Sequence, residues 1–160
     1  MDRVTQPHVL LVEDEALIRT MTALALADNG FCVHSVANAA AALDHLAGQS
    51  PVDILFTDLD LGDAIGGEAL ARAVRALRPG VGVLYASGSA IGVTTPVAGS
   101  AFLAKPYDLD AVCATLTRLA DGRAITPPPT LSRFRTLPRP MCHDDAGRAI
   151  SAHRALLPSP

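Results

Sequence analysis

Asp53-Ile54-Leu55-Phe56-Thr57-Asp58-Leu59-Asp60 sets an unbroken apolar run directly before a pair of carboxylates. The same arrangement occurs in Val9-Leu10-Leu11-Val12-Glu13-Asp14-Glu15, and residues 81–86 form a third apolar run that ends at Ser87-Gly88-Ser89. Apolar runs without alternation are what strands look like when helices cover both faces of a parallel sheet. Two shorter runs, 31–36 and 100–104, complete a set of five predicted strands with His8–Val12, 53–57 and 81–86.

Helical spacing fills the gaps between them. Leu17, Met21, Leu24 and Ala25 share one apolar face of a first helix that stops near Gly30, a residue suited to the left-handed position past a helix end. Asn38 can cap a second helix through Leu43, Leu46 and Ala47, and Leu70, Val74 and Leu77 mark a third that Pro79-Gly80 halts. Asp108 can cap a last helix in which Leu109, Val112, Leu116 and Leu119 recur. Strand and helix alternate, which calls for an α/β fold: a doubly wound five-stranded parallel sheet with right-handed crossovers. The segment from Ser89 to Gly99 breaks the pattern. It is rich in Gly, Thr and Pro and has no helical face, so a fourth helix there is expected to be shortened or missing.

Composition narrows the function classes. At 160 residues and 49% hydrophobic content the chain is long enough for one sizeable core. No apolar run is long enough to span a bilayer and no signal-peptide pattern opens the chain, so a cytoplasmic protein is expected. Cys32, Cys113 and Cys142 have neither paired nor zinc-ligand spacing and are read as reduced thiols. Residues 1–120 carry seven Lys and Arg against thirteen Asp and Glu, an acidic balance unsuited to neutralising nucleic-acid phosphates.

In open α/β sheets, functional groups gather beyond the carboxyl ends of the strands. Here that edge receives Glu13-Asp14-Glu15, Thr57-Asp58-Leu59-Asp60, Ser87-Gly88-Ser89 and Lys105-Pro106, and Lys105 is the only lysine in the chain. Any one of these has an ordinary explanation, since acids often begin helices. Jointly they suit phosphoryl transfer to a carboxylate. Mg²⁺ takes hard oxygen ligands and keeps several waters, so Glu13, Asp14 and Asp58 fit it. Two like charges about 4 Å apart repel by about 4 kcal/mol at an effective dielectric near 20, a strain that a divalent ion relieves. A lysine then pairs with a remaining phosphoryl oxygen while Asp58 attacks.

At these residues the chain resembles the receiver domain of bacterial two-component response regulators. The pattern runs through Val9-Leu10-Leu11-Val12-Glu13-Asp14-Glu15, Asp53-Ile54-Leu55-Phe56-Thr57-Asp58, Ala86-Ser87-Gly88 and Phe102-Leu103-Ala104-Lys105-Pro106-Tyr107. The resemblance implies Asp58 as phosphoacceptor. It implies a Mg²⁺ site from Glu13, Asp14, Asp58 and the backbone carbonyl of Asp60. Lys105 and Ser87 would bind the phosphoryl group, and Ser87 and Phe102 would be a switch pair, with plain core packing as the alternative for Phe102. The implied phosphodonor is a sensor histidine kinase or a histidine phosphotransfer protein, and the output is contact with a further protein. Glu13 stands where aspartate is common, and its longer arm favours reaching the metal through water. Leu61-Gly62-Asp63 replaces the family's frequent Met-Pro-Gly and bears on partner choice.

Residues 5–122 are expected to form this domain. Residues 123–160, with Pro127-Pro128-Pro129 and six arginines, are expected to be a disordered tail. The tail lacks aromatic interleaving or a helix-turn-helix pattern, so specific DNA binding is not expected, and Cys142, His143, Asp144 and His153 lack zinc-site spacing. The expected molecule is a single-domain response regulator, a signalling protein and not an enzyme. The competing reading is an aspartate-nucleophile phosphatase, with Asp58 as nucleophile and Asp60 as general acid. Such enzymes carry the Asp-x-Asp at their first strand, whereas here an acidic turn comes two strands earlier. A dinucleotide site is excluded, because Glu13-Asp14-Glu15 would repel a pyrophosphate.

Overall fold

The computed structural model describes residues 6–89 and 93–122; the predicted tail lies outside the described residues. The elements are β1 (His8–Val12), α1 (Ala16–Asp28), β2 (Cys32–Val36), α2 (Ala39–Ala47), β3 (Ile54–Asp58), α3 (Gly67–Leu77), β4 (Gly82–Ser87), β5 (Ala101–Ala104) and α4 (Leu109–Ala120). The strands form one parallel sheet in the order β2-β1-β3-β4-β5, the doubly wound architecture expected from the sequence. Its switch point falls between β1 and β3, where the direction of winding reverses.

Successive residues of the central strands point to opposite faces, and both faces are covered. Leu10, Val12, Leu55, Val83 and Tyr85 pack under α2 and α3 with Ala42, Leu46, Leu70 and Val74. Val9, Leu11, Ile54, Phe56 and Leu84 pack on the other side with Leu26, Val112 and Leu116 of α1 and α4. The two-sided core explains why the strands read as continuous apolar runs. Strands β3 and β4 each run one residue further than expected, so that Asp58 and Ser87 end them as buried residues. Both predicted caps form: Asn38 Oδ1 accepts the amide of Ala41 at 2.8 Å, and Asp108 Oδ1 that of Asp110 at 3.3 Å. Gly30 has φ +90°, the left-handed turn its position after α1 calls for. Cys113 is a free thiol, as read from its spacing.

Two expectations fail on orientation. The apolar face of α1 faces outward: Leu17, Met21 and Leu24 are 66%, 62% and 57% exposed, while Thr22 and Leu26 are buried. Leu26 lies half a turn around the helix from Leu17, and the helix carries apolar residues on both sides, so periodicity alone does not choose between them. Leu77, expected in the core-facing stripe of α3, is 64% exposed in the helix's last turn.

Between β4 and β5 none of the described residues is helical, in line with the missing helical face. Side chains of α3 hold this connection. The Glu68 carboxylate accepts from the backbone and hydroxyl groups of Thr94 and Thr95. Arg72 Nη1 donates to Thr95 Oγ1 at 2.7 Å and Arg75 Nη1 to the Ala98 carbonyl at 2.9 Å. The Val97 amide donates to the buried Tyr85 hydroxyl at 3.4 Å.

The start of α3 is fixed by close approach. A Cβ on Gly67 would overlap the carbonyl oxygen of Asp58, a backbone atom that cannot swing aside. We expect Gly67→Ala to cost about 1–3 kcal/mol of stability, read from urea unfolding, because the helix must move off β3. The Thr95 and Thr94 hydrogen bonds hold the Glu68 carboxyl below its ordinary value of 4.5. A depressed carboxyl contributes stability that is present above pH 4.5 and lost as pH falls through the folded value. Urea midpoints should therefore drop on acidification from pH 7 into the range below 4.5, and drop less in Glu68→Gln.

Candidate functional site

At the switch point, two strands that are neighbours in the sheet but far apart in sequence present their carboxyl ends together. Val12 pairs with Thr57, so the turn after β1 and the last residue of β3 share one edge. Glu13 is 4% exposed and Asp58 8%, while Asp14 is exposed. One carboxylate oxygen from each of Glu13, Asp14 and Asp58 lies within 4.8 Å of the other two. The set is all hard oxygen with one open member, which fits a small divalent cation such as Mg²⁺.

Lys105 comes to this cluster from the far side of the sheet. Its amide donates to the Ser87 carbonyl at 2.8 Å, extending the β4–β5 ladder by one residue and turning the side chain over the edge. The Lys105–Pro106 peptide is cis. Nζ lies 2.5 Å from Asp58 Oδ2 and 2.8 Å from Glu13 Oε2. Burial alone would lower the Lys105 pKa, but the two carboxylates outweigh it and hold the ammonium above its ordinary range. The Glu13 carboxyl is raised as well, but here burial dominates and the Lys105 contact only partly offsets it. The two shifts have different causes, pairing with opposite charge at Lys105 and loss of water at Glu13.

The acid turn is held from behind. Arg19, one turn into α1, donates from Nη1 to the Glu13 carbonyl at 2.7 Å and to the Asp14 carbonyl at 3.2 Å. The Glu15 amide donates to Glu13 Oε1 at 3.3 Å, and the Gly62 amide donates to Asp14 Oδ2 at the same distance. The departure at Leu61-Gly62-Asp63 thus aims a donor at an acid of the cluster, while Leu61 is buried in the core. Asp58 Oδ1 accepts the Asp60 amide at 3.0 Å.

Ser87 is 1% exposed, and its hydroxyl donates to Asp60 Oδ2 at 3.0 Å. Phe102 stands on the edge strand β5 at 41% exposure, beside Tyr85 in an open depression. Plain core packing is thereby set aside for Phe102.

Every site residue named from the sequence therefore lies at this edge or next to it. Two contributions escaped the sequence reading. Arg19 lies within a helix and carries no signal, because an arginine there usually serves as solvated surface. The other is the contact of Asp60 with Ser87: the sequence points to the Asp60 carbonyl as a metal ligand, or to its carboxyl as the general acid of the competing reading, but not to this hydrogen bond.

Residues 9–117 match the family model for the response regulator receiver domain. The chain is 32% identical over 120 residues to the sensor kinase CckA of Brucella abortus (strain 2308), covering 71% of this chain and 12% of that protein. It is also 32% identical over 141 residues to the alkaline phosphatase synthesis transcriptional regulatory protein SphR of Synechococcus elongatus, covering 78% of this chain and 54% of that one. The chain spans little more than half the length of one relative and a small part of the other. Among solved structures, a response regulator receiver protein from Sinorhizobium medicae WSM419 aligns with a TM-score of 0.70 at 26% identity, covering 75% of this chain and 98% of that one. The matched range takes in the whole cluster from Glu13 to Lys105, and the chain belongs to the response regulator receiver domain family.

Proposed function

We propose that this protein is a phosphorylation-controlled switch in which Asp58 accepts a phosphoryl group from a phosphohistidine of a sensor histidine kinase or phosphotransfer protein. The observation that carries the reading is the Asp58 carboxylate itself: it closes a central strand, is held by Lys105, and sits within the Glu13–Asp14–Asp58 cluster. A carboxylate oxygen of Asp58 attacks phosphorus. The P–N bond to the donor imidazole breaks, the nitrogen keeps the electron pair and takes up a proton, and an aspartyl phosphate remains. Glu13, Asp14, Asp58 and the Asp60 carbonyl would hold Mg²⁺, which when bound offsets the negative charge of the phosphoryl oxygens. Lys105 exchanges its bond to the carboxylate for one to a phosphoryl oxygen.

Their positions support Ser87 and Phe102 as the switch pair. Ser87 ends the strand beside β3, so its hydroxyl is near enough to turn toward a group on Asp58. That movement draws in the β4–β5 connection, against which Phe102 stands exposed. The changed surface is then read by another protein. The phosphatase-like alternative asks Asp60 to act as a proton donor, whereas its carboxylate accepts from Ser87.

The donor's contact is supported by α1. Asp58 is too enclosed for a protein-borne imidazole to reach without the donor seating on the rim. Leu17, Met21 and Leu24 extend an exposed apolar stripe from beside the acid turn along the helix. A monomer gains nothing by exposing three large apolar side chains in a row, and such a stripe marks a protein contact.

The decisive experiment is intact-mass analysis after incubation with Mg²⁺ and acetyl phosphate. A single hydroxylamine-labile phosphoryl adduct is expected, absent in Asp58→Asn and in EDTA; an unmodified wild type under conditions where Mg²⁺ binds would overturn the reading. Calorimetric titration should show Mg²⁺ binding to the wild type weakened at least about tenfold in Asp14→Asn, since a hard cation loses a charged ligand. With a phosphorylated histidine kinase that labels the wild type, Leu17→Asp and Met21→Asp should slow labelling about tenfold more than they slow labelling by acetyl phosphate. Equal slowing by both donors would remove α1 from the docking face.

A further inference from the structure

Ser87 has one hydroxyl proton, and in the unmodified protein that proton is already committed. The hydroxyl donates to Asp60 Oδ2 at 3.0 Å and accepts the Ser89 amide at 2.9 Å, so its donor and one acceptor site are both used. It is also 1% exposed, so water does not readily compete for it. Asp60 is tied at its other end, its amide donating to Asp58 Oδ1 at 3.0 Å. The loop after β3 and the end of β4 are thus bridged by a bond between Ser87 and a residue two positions from Asp58. We propose that the Asp60 carboxylate is a positioning residue, a latch that holds the Ser87 hydroxyl away from Asp58 until Asp58 is modified.

The latch opens for an electrostatic reason. A phosphoryl group on Asp58 places new negative charge beside a carboxylate whose own amide bonds to Asp58, and like charges at this range repel. At the same time the phosphoryl oxygens offer Ser87 a more strongly charged acceptor. The hydroxyl changes partner, and Asp60 moves out with its charge. The energy gained when Ser87 meets the phosphoryl group is therefore a difference between two charge-assisted hydrogen bonds, not the whole of one. Without the Asp60 bond, the switched arrangement is reached at lower cost.

The inference rests on Asp58 as phosphoacceptor and is tested with beryllium fluoride plus Mg²⁺, a stable phosphoryl mimic whose binding involves no hydrolysis. Dissociation constants would be measured by calorimetry for the full chain and for Asp60→Ala, Asp60→Asn, Ser87→Ala and Asp60→Ala/Ser87→Ala. The latch predicts that Asp60→Ala tightens binding about tenfold in the presence of Ser87 and no more than about twofold in the Ser87→Ala background. Asp60→Asn, which keeps an acceptor for the hydroxyl, should lie closer to the wild type than to Asp60→Ala. An equal factor in both backgrounds, with Asp60→Asn matching Asp60→Ala, would reduce Asp60 to a through-space charge and overturn the latch while leaving the phosphoacceptor reading intact. A wild type that binds no beryllium fluoride would instead strike at the reading beneath it.

Discussion

Three carboxylates held within 4.8 Å of one another repel unless positive charge is supplied among them, and in this structure Lys105 supplies it to Glu13 and Asp58. Much else in the domain can be traced to that requirement. The lysine reaches Glu13 and Asp58 only because β5 lies on the same side of the switch point as β3 and β4, with its carboxyl end on the same edge. The acids meet only because β1 and β3 are adjacent in space although α1, β2 and α2 lie between them in sequence. A parallel sheet with both faces covered produces this adjacency, and the two apolar clusters on its faces hold it in register. Loss of one charged partner from such a group generally costs more than its formation gains, because the remaining charges stay where they were without compensation.

Backbone constraints then set the geometry around the charge. Gly67 lets the first turn of α3 rest on the last carbonyl of β3, bringing the loop that carries Asp60 and Gly62 against the cluster. The Gly62 amide turns toward Asp14, and Arg19 ties down the carbonyls of the acid turn. Together these contacts leave the carboxylates little freedom to move apart and relieve their repulsion. On the proposed reading, a site built this way stays ready for a cation and an incoming phosphoryl group, since the cost of gathering the negative charge is met during folding.

Much of this was legible in the sequence, and the reasons are physical. Continuous apolar runs identify strands covered on both sides, and the acids, the hydroxyl and the lysine that follow them have nowhere else to lie than the carboxyl edge. Asn38 and Asp108 announced their helices by their own chemistry. The outward face of α1 was not legible: Leu17, Met21 and Leu24 have the spacing of a core stripe, and the residues packed inward, Thr22 and Leu26, are less apolar as a set. An exposed apolar face and a core face obey the same periodicity, so only the three-dimensional placement separates them. The Ser87–Asp60 bond was hidden for another reason. It joins the ends of two strands through side-chain rotamers, and neither residue type nor spacing records which acceptor a hydroxyl selects.

That bond bears on how a domain of this size can respond to one small group. A modification shifts an equilibrium only by the difference in its interactions with the two states. If Lys105 and Ser87 were idle in the unmodified protein, their new bonds to a phosphoryl group would count in full. Here Lys105 is already paired with Asp58 and Glu13, and Ser87 with Asp60, so each must leave one partner to gain another. The net gain per exchange is on the order of 1 kcal/mol, less than the roughly 5.5 kcal/mol needed to carry a population from 1:99 to 99:1. On the proposed reading, modification alone tilts the equilibrium, and a downstream protein that binds the switched surface completes the shift. The arrangement at the sheet edge therefore favours an output that depends on the partner's presence as well as on the phosphoryl group.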